Sequence, residues 1–146
     1  MDGAISMTNL DKTIRVFVLD ADSDDAYDME TINNIGKMRK IVKCEDAGID
    51  RMEVMGRPFF VMAAGAYVPG RKVSAFDSNG KQLLAGNLIF AGIGANEHGA
   101  PILRSVTDEE VGHLLKNVVM MRHIGDENDR ETYTMYCMIN VEGWPS

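Results

Sequence analysis

Apolar and polar residues alternate most clearly over residues 13–19 (TIRVFVL), with Ile14, Val16 and Val18 on one side and Arg15, Phe17 and Leu19 on the other. That period of two is a strand's. The acidic run over residues 20–28 ends it. Met29, Ile32 and Ile35 then recur at helical spacing behind Asp28, a good N-cap, which predicts a short helix ending near Gly36. Residues 39–45 (RKIVKCE) alternate weakly and are expected to form a second strand, with a turn over 46–50. Residues 51–55 fit strand or loop equally.

Pro58 opens the run 59–64 (FFVMAA), expected to be a buried strand, and Gly65, Pro69 and Gly70 break the chain after it. Residues 72–76 fit a short strand or a turn. Asp77-Ser78-Asn79-Gly80 is a strong hairpin signal, because Asn-Gly adopts positive φ cheaply. Residues 81–91 return as a strand interrupted by Gly86, and 92–101 read as a long, flexible loop. The clearest helix begins at Thr107, whose hydroxyl and Glu110 make a capping box. Asp108 and Glu109 suit its positive end, and Val111, Leu114, Leu115 and Val118 give it one apolar side. Residues 118–124 and 132–141 predict a C-terminal hairpin around the polar turn 126–130.

These elements predict an α+β fold: a mostly antiparallel sheet of about five to seven strands with two helices packed on one face. With 146 residues the chain suits one domain, 1–146, with a flexible leader at 1–11 and a hairpin extension at 118–146. A chain of this size buries roughly 68–70% of its unfolded surface, so it needs no metal or disulfide staple. The 11 Met are a mild excess and serve as core fillers.

The net charge is −7, which opposes tight direct binding to nucleic acid. Carboxylates concentrate in the first 30 residues, and Lys37, Arg39, Lys40 and Lys43 follow with only Glu45 against them. Such patches are expected to be a solvated surface, with pairing within the fold or between protomers as the alternative. No signal peptide or membrane-length apolar run is present, so a cytoplasmic protein with reduced Cys44 and Cys137 is expected.

Candidate chemistry is sparse. Asp20-Ala21-Asp22-Ser23-Asp24-Asp25 resembles the start of a calcium loop, but the required Gly and Glu positions hold Asp25 and Thr31. Residues 92–99 (GIGANEHG) follow a strand as a phosphate loop would. Glu97 stands where the dinucleotide fingerprint needs its third Gly, and Ala100-Pro101 replaces the Lys-Ser/Thr of an NTPase loop. His98, His113 and His123 lack zinc spacing, and both cysteines are predicted in strand interiors, where thiols are inert. Trp144, with Tyr133 and Tyr136, suits either an interface anchor or a core edge. No catalytic residue, metal or cofactor is expected.

Three stretches carry a resemblance: the hairpin segment 77–81 (DSNGK), the strand 83–92 (LLAGNLIFAG) and the helix start 105–110 (SVTDEE). In order and spacing they resemble a family of small phage- and plasmid-borne proteins known only as domain of unknown function three thousand eight hundred and forty-six. The resemblance covers about the middle two-thirds of the chain. The chain departs from the family pattern with an insertion over 46–57 and with the tail beyond Met120. No catalytic residue carries over. The resemblance implies a mobile-element setting, in which small acidic proteins counter or modify host machinery.

Two function classes follow. The first is a non-enzymatic accessory protein of a phage or mobile element that binds a host protein through an acidic face of Asp20, Asp22, Asp24, Asp25 and Asp28, such as an inhibitor of host defence. The second is a small-ligand or nucleotide-signal binder using Gly92, Gly94, His98, Gly99 and Arg104. An enzyme of unrecognised type is third, and exposed sheet edges admit a homodimer.

Overall fold

The computed structural model describes residues 13–23, 25–64, 73–77, 79, 81–124 and 133–141. Its elements run β1 Thr13–Asp20, β2 Asp25–Ile32, α1 Ile35–Val42, β3 Gly48–Val54, β4 Arg57–Ala63, β5 Val73–Phe76, β6 Gln82–Ala85, β7 Leu88–Ala95, β8 Pro101–Arg104, α2 Asp108–Lys116, β9 Val118–Ile124 and β10 Tyr133–Asn140. The α+β reading holds. A six-stranded antiparallel sheet has the order β2-β1-β7-β4-β3, with β8 on the far half of β7. A second sheet has the order β6-β5-β10-β9, and its β5–β10 pair is parallel. No helix among the described residues is long and apolar enough to cross a membrane.

Each face of the larger sheet buries its own cluster, as the alternation of β1 requires. Phe17 and Leu19 join Met52, Val54, Phe59, Val61, Leu88 and Phe90 on one face. Phe90 meets Phe17 and Phe59 edge-on at 6.1 and 6.2 Å between ring centres. Val111 and Leu114 of α2 cover this face together with Ala75, Leu84 and Ile139 of the second sheet and Val141 just beyond it. Ile14, Val16 and Val18 join Phe60, Met62, Ile89 and Ala91 on the other face, beneath Met38 and Val42 of α1. The helices therefore pack on opposite faces rather than on one. Both faces of the sheet's centre are apolar, so each needs a cover.

The chain around residue 30 differs most from expectation. Residues 25–32 form a strand, paired residue for residue with β1 from Asp20↔Asp25 to Thr13↔Ile32. Asp28 is mid-strand, and the N-cap is Asn34, whose Oδ1 accepts from the Lys37 amide at 3.1 Å. The helix then runs through residues expected to be strand, because Met38 and Val42 supply the buried side. Cys44 follows α1 in a half-buried loop instead of lying inside a strand.

Residues 51–54 resolve as strand, joined to β4 by Met55-Gly56, with φ of +46° and +87°. Two left-handed residues in succession make the turn that fits the strand twist. Met55 occupies its place at a conformational cost, and its side chain is exposed. Met55→Asn is expected to raise the unfolding free energy by about 0.5–1 kcal/mol, read by urea denaturation.

β5 and β6 pair antiparallel, as the Asn-Gly signal predicts, and Asp77 Oδ1 accepts from the amides of Asn79 and Lys81, each at 2.9 Å; Ser78 and Gly80 lie outside the described residues. The predicted strand 81–91 is two strands in different sheets, split at Gly86 (φ +85°). The capping box at Thr107 and Glu110 is present as expected, although Leu115 is exposed. The C-terminal hairpin forms as β9–β10. The leader 1–11, the breaks at 65–70, the turn 126–130 and Trp144 lie outside the described residues.

Candidate functional site

The β1–β2 hairpin places the acidic residues at one end and along one edge of the larger sheet. Asp20 closes the tight turn, its Oδ1 accepting from the amides of Asp22 and Ser23 at 3.0 and 3.2 Å. Buried Asn87 holds the turn from beneath, accepting from the Ala21 amide at 2.8 Å. Asp25 Oδ1 accepts from the next amide, Ala26, at 2.9 Å. Asp22 meets Lys43, just beyond α1, at 3.0 Å. That contact raises the Lys43 pKa, with smaller help from Asp20 and Tyr27. The acidic and basic stretches of the sequence thus meet within the fold. Both groups are exposed, so the pair orients more than it stabilises. Asp24 lies outside the described residues.

Asp28 is on the opposite side of the sheet. Residues directly opposed in an antiparallel pair share a face, and Asp28 opposes Phe17 while Tyr27 opposes Val18. Ala26, Asp28, Glu30 and Ile32 therefore share the α2 face, and Asp25, Tyr27, Met29 and Thr31 the α1 face. Arg15 bridges Asp108, at the start of α2, and Asp28, at 2.6 and 2.8 Å. Its pKa is raised by Asp108 and then Asp28, and that of Asp28 is lowered by Arg15. The four described aspartates do not form one face. Asp20, Asp22 and Asp25 stand at the hairpin tip, and Asp28 lies along the rim.

The rim has its own character. β2 is an edge strand of the sheet and pairs only with β1 among the described residues. Its eight residues carry Asp25, Asp28 and Glu30, with exposed Tyr27 (37%) and Ile32 (53%) between and beyond them. Sequence reasoning missed this edge by reading Met29, Ile32 and Ile35 as a helical series. The alternation of carboxylates at 28 and 30 with Tyr27, Met29 and Thr31 was the available signal.

The glycine-rich segment is not a loop. Gly92 and Gly94 lie in β7, opposite Arg104 and Ile102 of β8, and the reversal is confined to residues 96–100. Asn96 Oδ1 holds that reversal by accepting from the amides of His98 and Ala100. Gly99 has φ +80°. His98 is exposed beside Glu97 at this tip. Arg104 is three pairs down the ladder, roughly 10 Å away. The structure joins Gly92 to Arg104 and sets both apart from His98 and Gly99.

Four of the five N–H donors of Arg104 are engaged. Its Nε donates to the Ile93 carbonyl at 3.1 Å, and Nη1 to the Ser105 carbonyl at 2.8 Å. Its two Nη groups reach the Glu110 carboxylate at 2.7 and 3.0 Å. Glu110, 3% exposed, also accepts from the Thr107 amide at 2.9 Å. Burial raises the Glu110 pKa most, but Arg104 and the Thr107 amide together outweigh it and leave it lowered. A Cβ on Gly92 would stand 2.7 Å from Arg104 Cζ, so the glycine is the seat of the guanidinium. This constellation fastens β8 to α2.

Outside the hairpin, the exposed side of α1 presents Gly36, Arg39, Lys40 and Lys43, at i, i+3, i+4 and i+7. With Cys44 and Glu45 they line an open depression of about 480 Å³. His113 is committed elsewhere, donating Nε2–H to the Val54 carbonyl at 2.5 Å and stacking on Phe59. Among the described residues no three His, Cys, Asp or Glu side chains are grouped to hold a metal ion. No protein-family model, curated protein or solved structure matches this chain.

Proposed function

We propose that this protein is a non-enzymatic binding module that takes an extended, basic segment of another protein along the outer edge of β2. The observation that carries this reading is the edge itself: an eight-residue strand at the sheet's rim, with Asp28 and Glu30 two apart on one face and exposed Tyr27 and Ile32 beside them. An edge strand offers a row of backbone donors and acceptors to an incoming strand, while side-chain spacing supplies specificity. Edge carboxylates ordinarily guard against self-association, since two copies would oppose like charges. Asp28 and Glu30, which share one face, admit a strand bearing Lys or Arg at alternate positions. The tip residues Asp20, Asp22 and Asp25 extend the negative field and speed encounter with such a partner. A phage or plasmid setting, as the family resemblance implies, makes a host protein the partner.

The test uses a fluorescent peptide of alternating Lys and Val and the double variant Asp25→Lys/Glu30→Lys. Neither carboxylate takes part in an ion pair among the described residues. Anisotropy is expected to show saturable binding by the wild type, weakened about tenfold or more in the variant and much less by salt alone. Equal affinity in the two proteins counts against the edge.

A further inference from the structure

We propose that the depression over α1 is a separate binding site for a small phosphate monoester of nucleotide size, with Arg39 and Lys40 holding the phosphate. Its volume of about 480 Å³ falls within the range of small-molecule sites, roughly 300–1,000 Å³. Its floor and walls follow from the sequence of α1. Met38 and Val42 turn inward to the core, which leaves Gly36, Arg39, Lys40 and Lys43 outward on one stripe. Gly36 contributes no side chain and so leaves the stripe hollow at its N-terminal end.

Arg39 is pre-set rather than splayed into solvent. Its Nε donates to the Ala47 carbonyl at 2.9 Å, across the loop that closes the depression. That bond uses one of the five guanidinium donors and leaves both Nη groups for a planar, two-point contact with phosphate oxygens. Lys40, one residue along the stripe, has no ion pair among the described residues and supplies a mobile point charge. Basic residues late in a helix also offset its negative end. That effect accounts for their charge but not for an arginine braced against a neighbouring loop beside an open hollow. Glu45 on the rim is suited to accept from a sugar hydroxyl.

The surroundings select a small ligand over a polymer. Asp20, Asp22 and Asp25 stand on the same side of the sheet, and Lys43 is shared with Asp22. A nucleic-acid strand leaving the depression would meet these carboxylates, on a chain whose net charge is −7. A single phosphate monoester ends before reaching them.

The test is an NMR titration of the full chain with adenosine 5′-monophosphate, using adenosine as the uncharged control. Lys40→Glu is the site variant, since its ammonium enters no ion pair among the described residues, and Lys116→Glu is the charge-matched control on α2. The monophosphate is expected to shift the amides of Gly36, Lys40 and Cys44 saturably, while adenosine does not. Lys40→Glu should weaken binding about tenfold or more and Lys116→Glu by less than about twofold. Shifts centred elsewhere, equal weakening by both variants, or no saturable binding to the wild type would overturn the proposal. None of these outcomes bears on the β2 edge, which the peptide experiment tests independently.

Discussion

Replacing Glu110 by Ala is expected to lower the unfolding free energy by about 3 kcal/mol, the largest effect of any single polar substitution among the described residues. The carboxylate is 3% exposed and accepts from both Arg104 Nη groups and from the Thr107 amide. Its removal leaves a half-buried guanidinium without its counterion and a helix N-terminus without half of its capping box. The guanidinium keeps some access to water, so the loss falls at the lower end for broken buried pairs. Acid should reproduce the effect in part. The folded pKa of Glu110 lies below its ordinary 4.5, so the unfolded chain binds its proton first as pH falls. The stabilisation is whole above about pH 4.5 and is lost as pH falls through the lower folded value. Urea melts in acid steps should show this loss in the wild type and a smaller one in Glu110→Gln.

Gly92→Ala is expected to cost about 2 kcal/mol or more, although it adds one methyl group. The new Cβ would stand 2.7 Å from Arg104 Cζ and 3.0 Å from its Cγ. A free arginine would swing aside, but this one is held by two carbonyls and a carboxylate, so moving it forfeits those bonds. The two substitutions break the same unit. Gly92→Ala/Glu110→Ala should therefore lose about 3–4 kcal/mol rather than the full sum of about 5. Additive losses would mean that Gly92 matters for its strand and not as the seat of Arg104.

The same glycine shows where reading the sequence succeeds and where it fails. Strand β1 and the start of α2 were legible because one alternation and one capping box each specify a local structure. A glycine pair after a strand reads as a loop when only its neighbours in sequence are considered. Its reason lies twelve residues on, in an arginine that must lie flat across the backbone, and no local pattern records that. The β2 region failed differently. Met29, Ile32 and Ile35 fit a helix by spacing, but pairing with all eight positions of β1 overrides that local preference. Once residues 25–32 are a strand, the helix begins after Asn34, and Arg39, Lys40 and Lys43 gather on one side of it. The acidic candidates were legible as residues but not as a surface, because the alternation of β2 sends Asp28 to the face opposite Asp25.

Amide hydrogen exchange across residues 25–32, with and without the Lys-Val peptide, tests most directly whether β2 receives a partner strand. The outward amides of β2 are expected to exchange rapidly in the free protein and to gain protection on binding, while those facing β1 stay unchanged. Peptide binding that leaves the outward amides of β2 as fast as before would contradict strand addition at this edge.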